Sequence, residues 1–122
     1  MDDEKILFNG ALEELDNVRF LLENEKYNLA VTRSYYAVFY ATKALIAKKG
    51  FFPKTHKGVI KKFSLEYVKN DDFDYDSFVI LNKLEENRRE SDYGILINFD
   101  EEETQEAFEG AEKFIDECRR FL

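Results

Sequence analysis

The fold of this chain is decided by its second hydrophobic segment. Residues 29–47 read LAVTRSYYAVFYATKALIA, and apolar or small residues occupy almost every position of that run. A helix that is apolar on nearly every side is one that is buried on nearly every side. We therefore predict a helix from about Tyr27 to Lys49 that forms the centre of a helical bundle.

The other segments have the three- and four-residue apolar spacing of amphipathic helices. Gly50 is expected to end the second helix, because glycine readily takes the left-handed conformation of a helix C-terminus. The first helix is predicted from Asp3 to Glu23, and the fourth from Asp74 to Tyr93, closed by Gly94. The third helix is predicted to begin after Thr55 as its N-cap. The fifth is predicted to begin at a capping box formed by Asp100 and Glu103. The predicted fold class is all-α: an up-and-down helical bundle of about five helices with a four-helix core, in a single domain over residues 1–122.

Composition limits the classes of function. The 122 residues suit one domain, and the single Cys118 allows no intrachain disulfide. No apolar run approaches the ~18 residues of a membrane span, and the acidic start has the wrong sign for a signal peptide, so we expect a cytoplasmic protein. The run Asp72, Asp74, Asp76 lacks the glycine and glutamate of a calcium loop, and we predict neither a metal site nor a cofactor.

The charge is unevenly distributed along the chain. The net charge is −8, yet residues 26–62 contain no Asp or Glu. The nine basic residues of that segment are Lys26, Arg33, Lys43, Lys48, Lys49, Lys54, Lys57, Lys61 and Lys62. Local potential steers an anionic partner more than total charge does, although such a segment also serves as a solvated surface. Both interpretations stay open.

Polar side chains at inward helical positions mark a candidate site. Arg33, Tyr36 and Tyr40 share one face of the second helix by their spacing. Arg88 follows the apolar stripe of the fourth helix, with Asp92 four residues later. A buried guanidinium needs a carboxylate, a phosphate or several carbonyls. We expect the two arginines to face a common groove, within one chain or across a dimer.

Structural alternatives exist for each of these residues. Arg88 and Asp92 have the spacing of an ordinary helix salt bridge, and Arg33 could bind the C-terminal carbonyls of a neighbouring helix. His56, the only histidine, is the one side chain whose usual pKa suits proton transfer near neutral pH. It could equally be a surface or packing residue.

Several motifs resemble the HEPN superfamily, in its small stand-alone prokaryotic branch. Residues 30–41, AVTRSYYAVFYA, are similar to the second-helix signature of that family. Residues 21–30, 49–51, 54–59 and 88–93 resemble its other motifs in the same order. The resemblance covers about residues 5–120, so most of the chain takes part in it.

The resemblance implies a bundle that often forms a homodimer, with the second and fourth helices lining a groove. Members are associated with nucleotide or RNA binding, and many are metal-independent ribonucleases paired, as toxins, with a small nucleotidyltransferase. The family's catalytic signature is an arginine followed after four to six residues by a histidine. Here Arg88 matches the arginine, and Tyr93 stands nearest to the histidine's position. A tyrosine is a poor general base near neutral pH because its hydroxyl stays protonated.

Three hypotheses follow. The first is a HEPN-type module that binds a nucleotide or RNA phosphate, as the toxin-like half of a pair with a minimal nucleotidyltransferase. Its ligand-binding residues would be Arg33, Tyr36, Tyr40, Arg88 and Asp92. The second is a metal-independent endoribonuclease whose catalytic residues are Arg88 with His56 or Tyr93. The third is a non-catalytic protein–protein module in which the same side chains serve only structure.

Overall fold

The chain forms an all-α bundle, as predicted. The computed structural model describes residues 2–92 and 98–122, without the side chains of Ser91 and Asp92. The described residues contain five α-helices and no strand. The helices are α1 (Asp3–Glu23), α2 (Tyr27–Lys48), α3 (His56–Phe63), α4 (Tyr75–Asp92) and α5 (Glu101–Arg119). The predicted end of the fourth helix at Tyr93 and Gly94 lies outside the described residues.

The central position predicted for the second helix is confirmed. α2 packs against α1, α3, α4 and α5. The buried residues of α2 occur on nearly every side of the helix, and several of them are small, such as Ala37 and Ala41. Each helix that contacts α2 can therefore bring side chains to the polar residues that α2 carries.

Local capping sets the position of His56. Thr55 is the N-cap of α3, as predicted, and its hydroxyl accepts a hydrogen bond from the Gly58 amide at 2.9 Å. A Cβ atom at Gly58 would lie 2.9 Å from that hydroxyl and 3.3 Å from Pro53, so the cap requires glycine there. Gly50 has a φ of +87°, which confirms the left-handed end of α2. His56 is consequently the first residue of α3.

The third helix changes its geometry before it ends. The α-helix stops at Phe63, and Ser64–Lys69 form a π-helical turn. The wider turn keeps the rings of Phe63 and Tyr67 stacked, with centroids 5.6 Å apart. The buried Tyr67 hydroxyl donates a hydrogen bond to the Leu45 carbonyl of α2, and this contact anchors the third segment to the central helix.

The other helix starts follow the sequence. Asp100 and Glu103 form the predicted capping box at α5. Asp74 accepts hydrogen bonds from the Ser77 amide at 3.0 Å and hydroxyl at 2.8 Å, which gives this aspartate a capping role at the start of α4. In the described part of the chain, no helix combines the length and the apolar character that membrane crossing requires. No three His, Cys, Asp or Glu side chains among the described residues form a metal-binding group.

Candidate functional site

Tyr35 is the residue around which the site is built. Its side chain is fully buried on α2, and its hydroxyl oxygen lies 2.5 Å from Nδ1 of His56 on α3. The carboxylate of Glu85 on α4 lies near enough to this hydroxyl to raise the pKa of Tyr35, after the larger effect of burial. A buried hydroxyl without such partners would cost about 1–3 kcal/mol. Tyr35 thus links side chains of three helices.

His56 lies inside an aromatic cluster, which we define as Tyr35, Tyr36, Phe39 and His56. Its ring stacks on Phe39, with a centroid distance of 4.2 Å and an interplanar angle of 9°. The edge-on contact with Tyr36 is 6.2 Å between centroids. The imidazole is therefore held by packing on its face and by a hydrogen bond at Nδ1, and it is not a solvent-exposed surface residue.

Arg88 reaches the cluster from α4. Its guanidinium donates two hydrogen bonds to Glu85, at 3.1 and 2.9 Å, and lies 5.2 Å from the centre of the Tyr35 ring. Both side chains of the ion pair are only 13% exposed. The predicted partner, Asp92, has a side chain outside the described part of the structure. Glu85 was not predicted as the partner, although it lies three residues before Arg88 and is equally compatible with helix spacing.

Arg33 contacts the cluster through Tyr36. One of its nitrogens donates to Glu14 of α1 at 3.1 Å, and the guanidinium lies 4.8 Å from the centre of the Tyr36 ring. Tyr36 and Tyr35 contact each other edge to face, 5.1 Å between centroids. Arg33 and Arg88 therefore lie against two adjacent rings, one guanidinium on each.

Tyr40 extends the same face of α2 by one turn. Its ring is 6.3 Å from that of Tyr36, and it packs toward Gly10 of α1, where a Cβ atom would be 3.9 Å from the Tyr40 ring. Lys43, one turn further, places its ammonium 5.8 Å from the Phe39 ring. Of the predicted site residues, Arg33, Tyr36, Tyr40, His56 and Arg88 come together, while Tyr93 and the Asp92 side chain lie outside the described residues.

The pKa values of Tyr35 and Glu85 are shifted in opposite directions. Burial, and then the hydrogen bond and charge of Glu85, raise the pKa of Tyr35 far above its usual value, so the phenol keeps its proton. Burial acts to raise the pKa of Glu85, but the hydrogen bonds from Arg88 and Tyr35 outweigh it and leave the pKa lowered. Glu85 is therefore an ionised acceptor between two donors.

A second candidate cavity lies at the N-terminal end of α4. A surface cavity of about 730 Å³ is lined by residues of α4, α5 and the segment between α3 and α4, including Asp74, Glu117 and Arg120. These three groups already satisfy one another: Glu117 accepts from the Asp74 amide at 2.7 Å and from Arg120 at 2.6 and 2.8 Å. The cavity is not lined by a histidine, and its arginine is already paired with Glu117, so we do not assign the site there.

The lowered pKa of Glu85 gives a prediction for stability. A carboxylate with a lowered folded-state pKa stabilises the protein above its unfolded pKa, about 4.3 for Glu, and loses that effect as the pH falls through the folded value. Glu85→Gln should therefore lower the free energy of unfolding by about 2 kcal/mol above about pH 6, and the difference from wild type should shrink toward pH 3. Urea denaturation across this pH range measures it.

The matched control is Glu86→Gln, an exposed glutamate one residue further along α4. It makes the same change of charge and size on the same helix, without the Arg88 and Tyr35 contacts. A profile for Glu85→Gln that coincides with the control profile at every pH would contradict the assignment of Glu85 to the site.

Comparisons with known proteins agree with this architecture. The family profile described as "HEPN domain" matches residues 5–121. A "UPF0332 protein" of Thermotoga maritima is 37% identical over 112 residues, covering 92% of this chain and 85% of the relative. A protein of Methanocaldococcus jannaschii named "Putative toxin MJ0605" is 35% identical over 121 residues, covering 99% of this chain and 90% of that protein.

A second protein of the same archaeon, named "Putative toxin MJ0142", is 32% identical over 116 residues, covering 95% of this chain and 79% of that protein. The family match and these relatives extend over nearly the whole bundle, including the helices that form the aromatic cluster. The resemblance seen in the second-helix signature is therefore confirmed, and this chain belongs to the HEPN domain family.

Proposed function

We propose that this chain is the toxin-like half of a protein pair and that it binds the phosphate of a nucleotide or an RNA in a groove between α2 and α4. The groove is defined by Arg33, Tyr36, Tyr40 and Arg88. One observation carries the proposal: Arg33 and Arg88 lie 4.8 and 5.2 Å from the centres of two tyrosine rings that contact each other. Two cations of the residue type that best recognises phosphate thus each lie against one ring of a contacting tyrosine pair.

Arginine suits this role because its planar guanidinium has five N–H donors and binds phosphate through two of them at once. Glu14 accepts from one nitrogen of Arg33, whose side chain is 36% exposed. Arg88 is held more deeply, at 13% exposed. We expect a phosphate to exchange with Glu14 at Arg33 and to contact Arg88 at the inner end of the groove.

The tyrosines supply the second part of the recognition. Tyr36 and Tyr40 are half-buried and lie on the same face as Arg33, so we expect their exposed parts to line the groove. Stacking of a base on an aromatic ring contributes about 1–3 kcal/mol and tolerates any base. A nucleotide or a single-stranded RNA has both a phosphate for the arginines and a base for these rings.

The local charge supports an anionic ligand despite the net charge of −8. Three of the four groove residues, Arg33, Tyr36 and Tyr40, belong to the segment of residues 26–62, which has nine basic and no acidic residues. Lys43 adds an ammonium group next to Phe39 of the aromatic cluster. Nearby cations raise the local concentration of an anion and its association rate.

The partner is proposed from the family. Two of the relatives are named as putative toxins, which supports a toxin-like role here. The family resemblance further suggests a small nucleotidyltransferase as the second protein of the pair and a homodimer as the form of this chain. We propose that such a partner covers the groove and so competes with the nucleic acid for it.

Binding of a fluorescent single-stranded RNA and of a nucleoside monophosphate tests the groove. Arg88→Ala is expected to weaken the Kd by about tenfold or more, since hydrogen bonds to charged groups contribute about 1.5–3 kcal/mol. Arg33→Ala is expected to weaken it as well. Fluorescence anisotropy at fixed salt measures the binding of the RNA, and the shift of the melting temperature on adding the nucleotide measures the binding of the small ligand.

Arg19→Ala is the matched control. Arg19 also has a carboxylate three residues before it, Asp16 at 2.8 Å, and an aromatic ring, Phe108 at 5.4 Å, but it lies outside the groove. If Arg19→Ala weakens binding as much as the groove variants do, the attraction is non-specific, and binding in the groove is contradicted. If neither ligand binds and both groove variants only lower the melting temperature, the side chains serve structure and the chain is a protein–protein module.

A second candidate function is a metal-independent endoribonuclease. The observation that favours it is that Tyr35 contacts both Arg88 and His56: the guanidinium lies 5.2 Å from the ring centre and Nδ1 lies 2.5 Å from the hydroxyl oxygen. A phosphate-binding group and a group able to accept a proton are thus joined by one side chain. The proposed histidine comes from α3, in contrast to the family signature in which it follows the arginine on the same helix.

The chemistry would be an intramolecular transesterification. His56 would accept the proton of a ribose 2′-hydroxyl, whose oxygen then attacks the adjacent phosphorus. The bond from phosphorus to the 5′-oxygen breaks, that oxygen takes up a proton, and the products are a 2′,3′-cyclic phosphate and a 5′-hydroxyl. Arg88 would stabilise the charge on the phosphorane oxygens.

RNA cleavage tests this candidate. We expect cleavage of single-stranded RNA to persist with excess chelator and to fall by at least about 100-fold in His56→Ala, the effect typical of losing a general base. Gel analysis with end-group mapping identifies the cyclic phosphate. Cleavage activity that survives in His56→Ala, or that disappears with chelator, would overturn the assignment. Arg19→Ala again serves as the control for a general loss of RNA binding.

A further inference from the structure

A cavity of about 210 Å³ opens between α4 and α5, on a different side of α4 from the groove. The α4 residues Ile80, Leu84 and Asn87 line it, and their spacings of four and three place them on one face of the helix. Glu85 and Arg88 each follow that face by one residue, which is a rotation of about 100° around the helix axis. The cavity is therefore separate from the groove.

The walls of the cavity are largely apolar. Val31 of α2, which is buried, and Phe99, just before α5, line it together with Ile80. The α5 residues that line it include Ala107 and Gly110, which are small and leave the space open. A Cβ atom at Gly110 would lie 3.2 Å from Cγ2 of Ile80, so α4 and α5 approach closely at that end. An apolar group that entered this space would leave water for apolar surroundings, which is favourable.

The rim of the cavity has more acidic than basic side chains. Glu103 and Glu106 line it from α5, and Lys83 lines it from α4. Glu103 already accepts a hydrogen bond from the Asp100 amide, at 3.3 Å, in the capping box. Glu106 is exposed and forms no ion pair with the residues that the structure describes. Its carboxylate is available to a cation that approaches the cavity.

The acidic character continues along α5. Residues 98–112 contain seven acidic and no basic residues. The seven are Asp100, Glu101, Glu102, Glu103, Glu106, Glu109 and Glu112. This segment is the opposite of residues 26–62, which contain basic residues only. Local potential on this face therefore favours a cationic partner and disfavours the phosphates of an RNA.

The size of the cavity indicates what kind of group it holds. Sites for small molecules usually have volumes of about 300–1,000 Å³, and this cavity is smaller. A space of this size suits one apolar side chain. Protein interfaces are commonly built in this way, with an apolar side chain seated in a pocket and surrounding contacts that exclude water. Complementary charges around such a pocket then select the partner.

We propose that this cavity is a docking site for a partner protein whose binding segment has a leucine-sized apolar side chain flanked by lysines or arginines. The apolar side chain fills the space between α4 and α5, and the flanking cations pair with Glu106 and the neighbouring carboxylates of α5.

The docking itself does not depend on the groove, but its consequence for regulation rests on the proposed function. A partner held on one side of α4 is kept at a high effective concentration near the groove on another side. It can then cover the groove through contacts that would be too weak without the docking site.

Three short peptides test the chemistry of the site. The probe is acetyl-KKLKK-amide, titrated into the ¹⁵N-labelled full chain and followed by ¹H–¹⁵N correlation spectra. We expect saturable shifts of the Ala107 and Gly110 amide signals. Acetyl-KKAKK-amide should bind at least about tenfold more weakly, because its alanine buries less apolar surface than leucine, and acetyl-EELEE-amide should not shift these signals.

Two outcomes of the titration would overturn the proposal. One is the absence of any saturable shift at Ala107 and Gly110 with acetyl-KKLKK-amide. The other is equal affinity for the leucine and alanine peptides, which would mean that the acidic surface attracts any cationic peptide and that the cavity holds no anchor.

Two variants separate the apolar and the charged parts of the site. Ala107→Leu fills the cavity and should lower the affinity for acetyl-KKLKK-amide to that for acetyl-KKAKK-amide. Glu106→Gln, at an exposed position, should weaken both peptides by about threefold and reduce the salt dependence of binding. Glu13→Gln, an exposed glutamate of α1, is the matched control and should bind like wild type. Unchanged affinity for the leucine peptide in both site variants would exclude the cavity.

The failure of this proposal is distinguishable from failure of the proposed function. RNA binding by a wild-type protein that does not bind acetyl-KKLKK-amide would leave the groove intact and overturn the docking site. Leucine-dependent peptide binding by a protein that binds neither RNA nor a nucleotide would support the docking site and overturn the ligand of the groove.

Discussion

The buried hydroxyl of Tyr35 is the constraint on which the site depends. A phenol on the innermost helix brings an O–H group into a region without water, and that group must be hydrogen-bonded or the fold loses stability. The partners lie on α3 and α4, with His56 on one side and Glu85 on the other. The two outer segments are therefore tied to α2 at one point by polar contacts as well as by apolar packing.

Both arginines of the site are paired with a carboxylate. Glu14 and Glu85 each pair with a guanidinium beside a tyrosine ring. The pairing matters most for Arg88, whose side chain is 13% exposed, since an unpaired buried charge is strongly destabilising. The structural and the functional interpretation of these residues are thus compatible. In the proposed function, a ligand phosphate would replace or join a carboxylate at arginines that the fold already orients.

Much of the bundle could be predicted because its signals are local. The apolar run of α2, the Thr55 cap and the Asp100 capping box each depend on residues a few positions apart. The π-helical turn at Ser64–Lys69 was missed, because it depends on the contact of Tyr67 with the carbonyl of Leu45 across the bundle.

The site could be predicted only in part, because it depends on contacts between helices that are distant in the sequence. The arginines and His56 stood out by residue type, but Tyr35 looked like a core residue within an aromatic run. Glu85 was missed because Arg88 has two acidic neighbours at helical spacing, Glu85 and Asp92, and no local pattern chooses between them. One signal was present: Glu85 lies four residues after Leu81, on the buried side of α4. Its contact with Tyr35 spans helices that are distant in sequence and had to be observed.

The central claim is that Glu85 and Tyr35 act as one unit, and a double-mutant cycle on stability tests it most directly. The free energies of unfolding of wild type, Tyr35→Phe, Glu85→Gln and the double variant at neutral pH give the coupling energy between the two side chains. Residues that share a hydrogen-bond network couple by about 0.5–3 kcal/mol, and we expect a value of about 1 kcal/mol or more. Additive effects of the two substitutions, with no coupling beyond experimental error, would contradict the account.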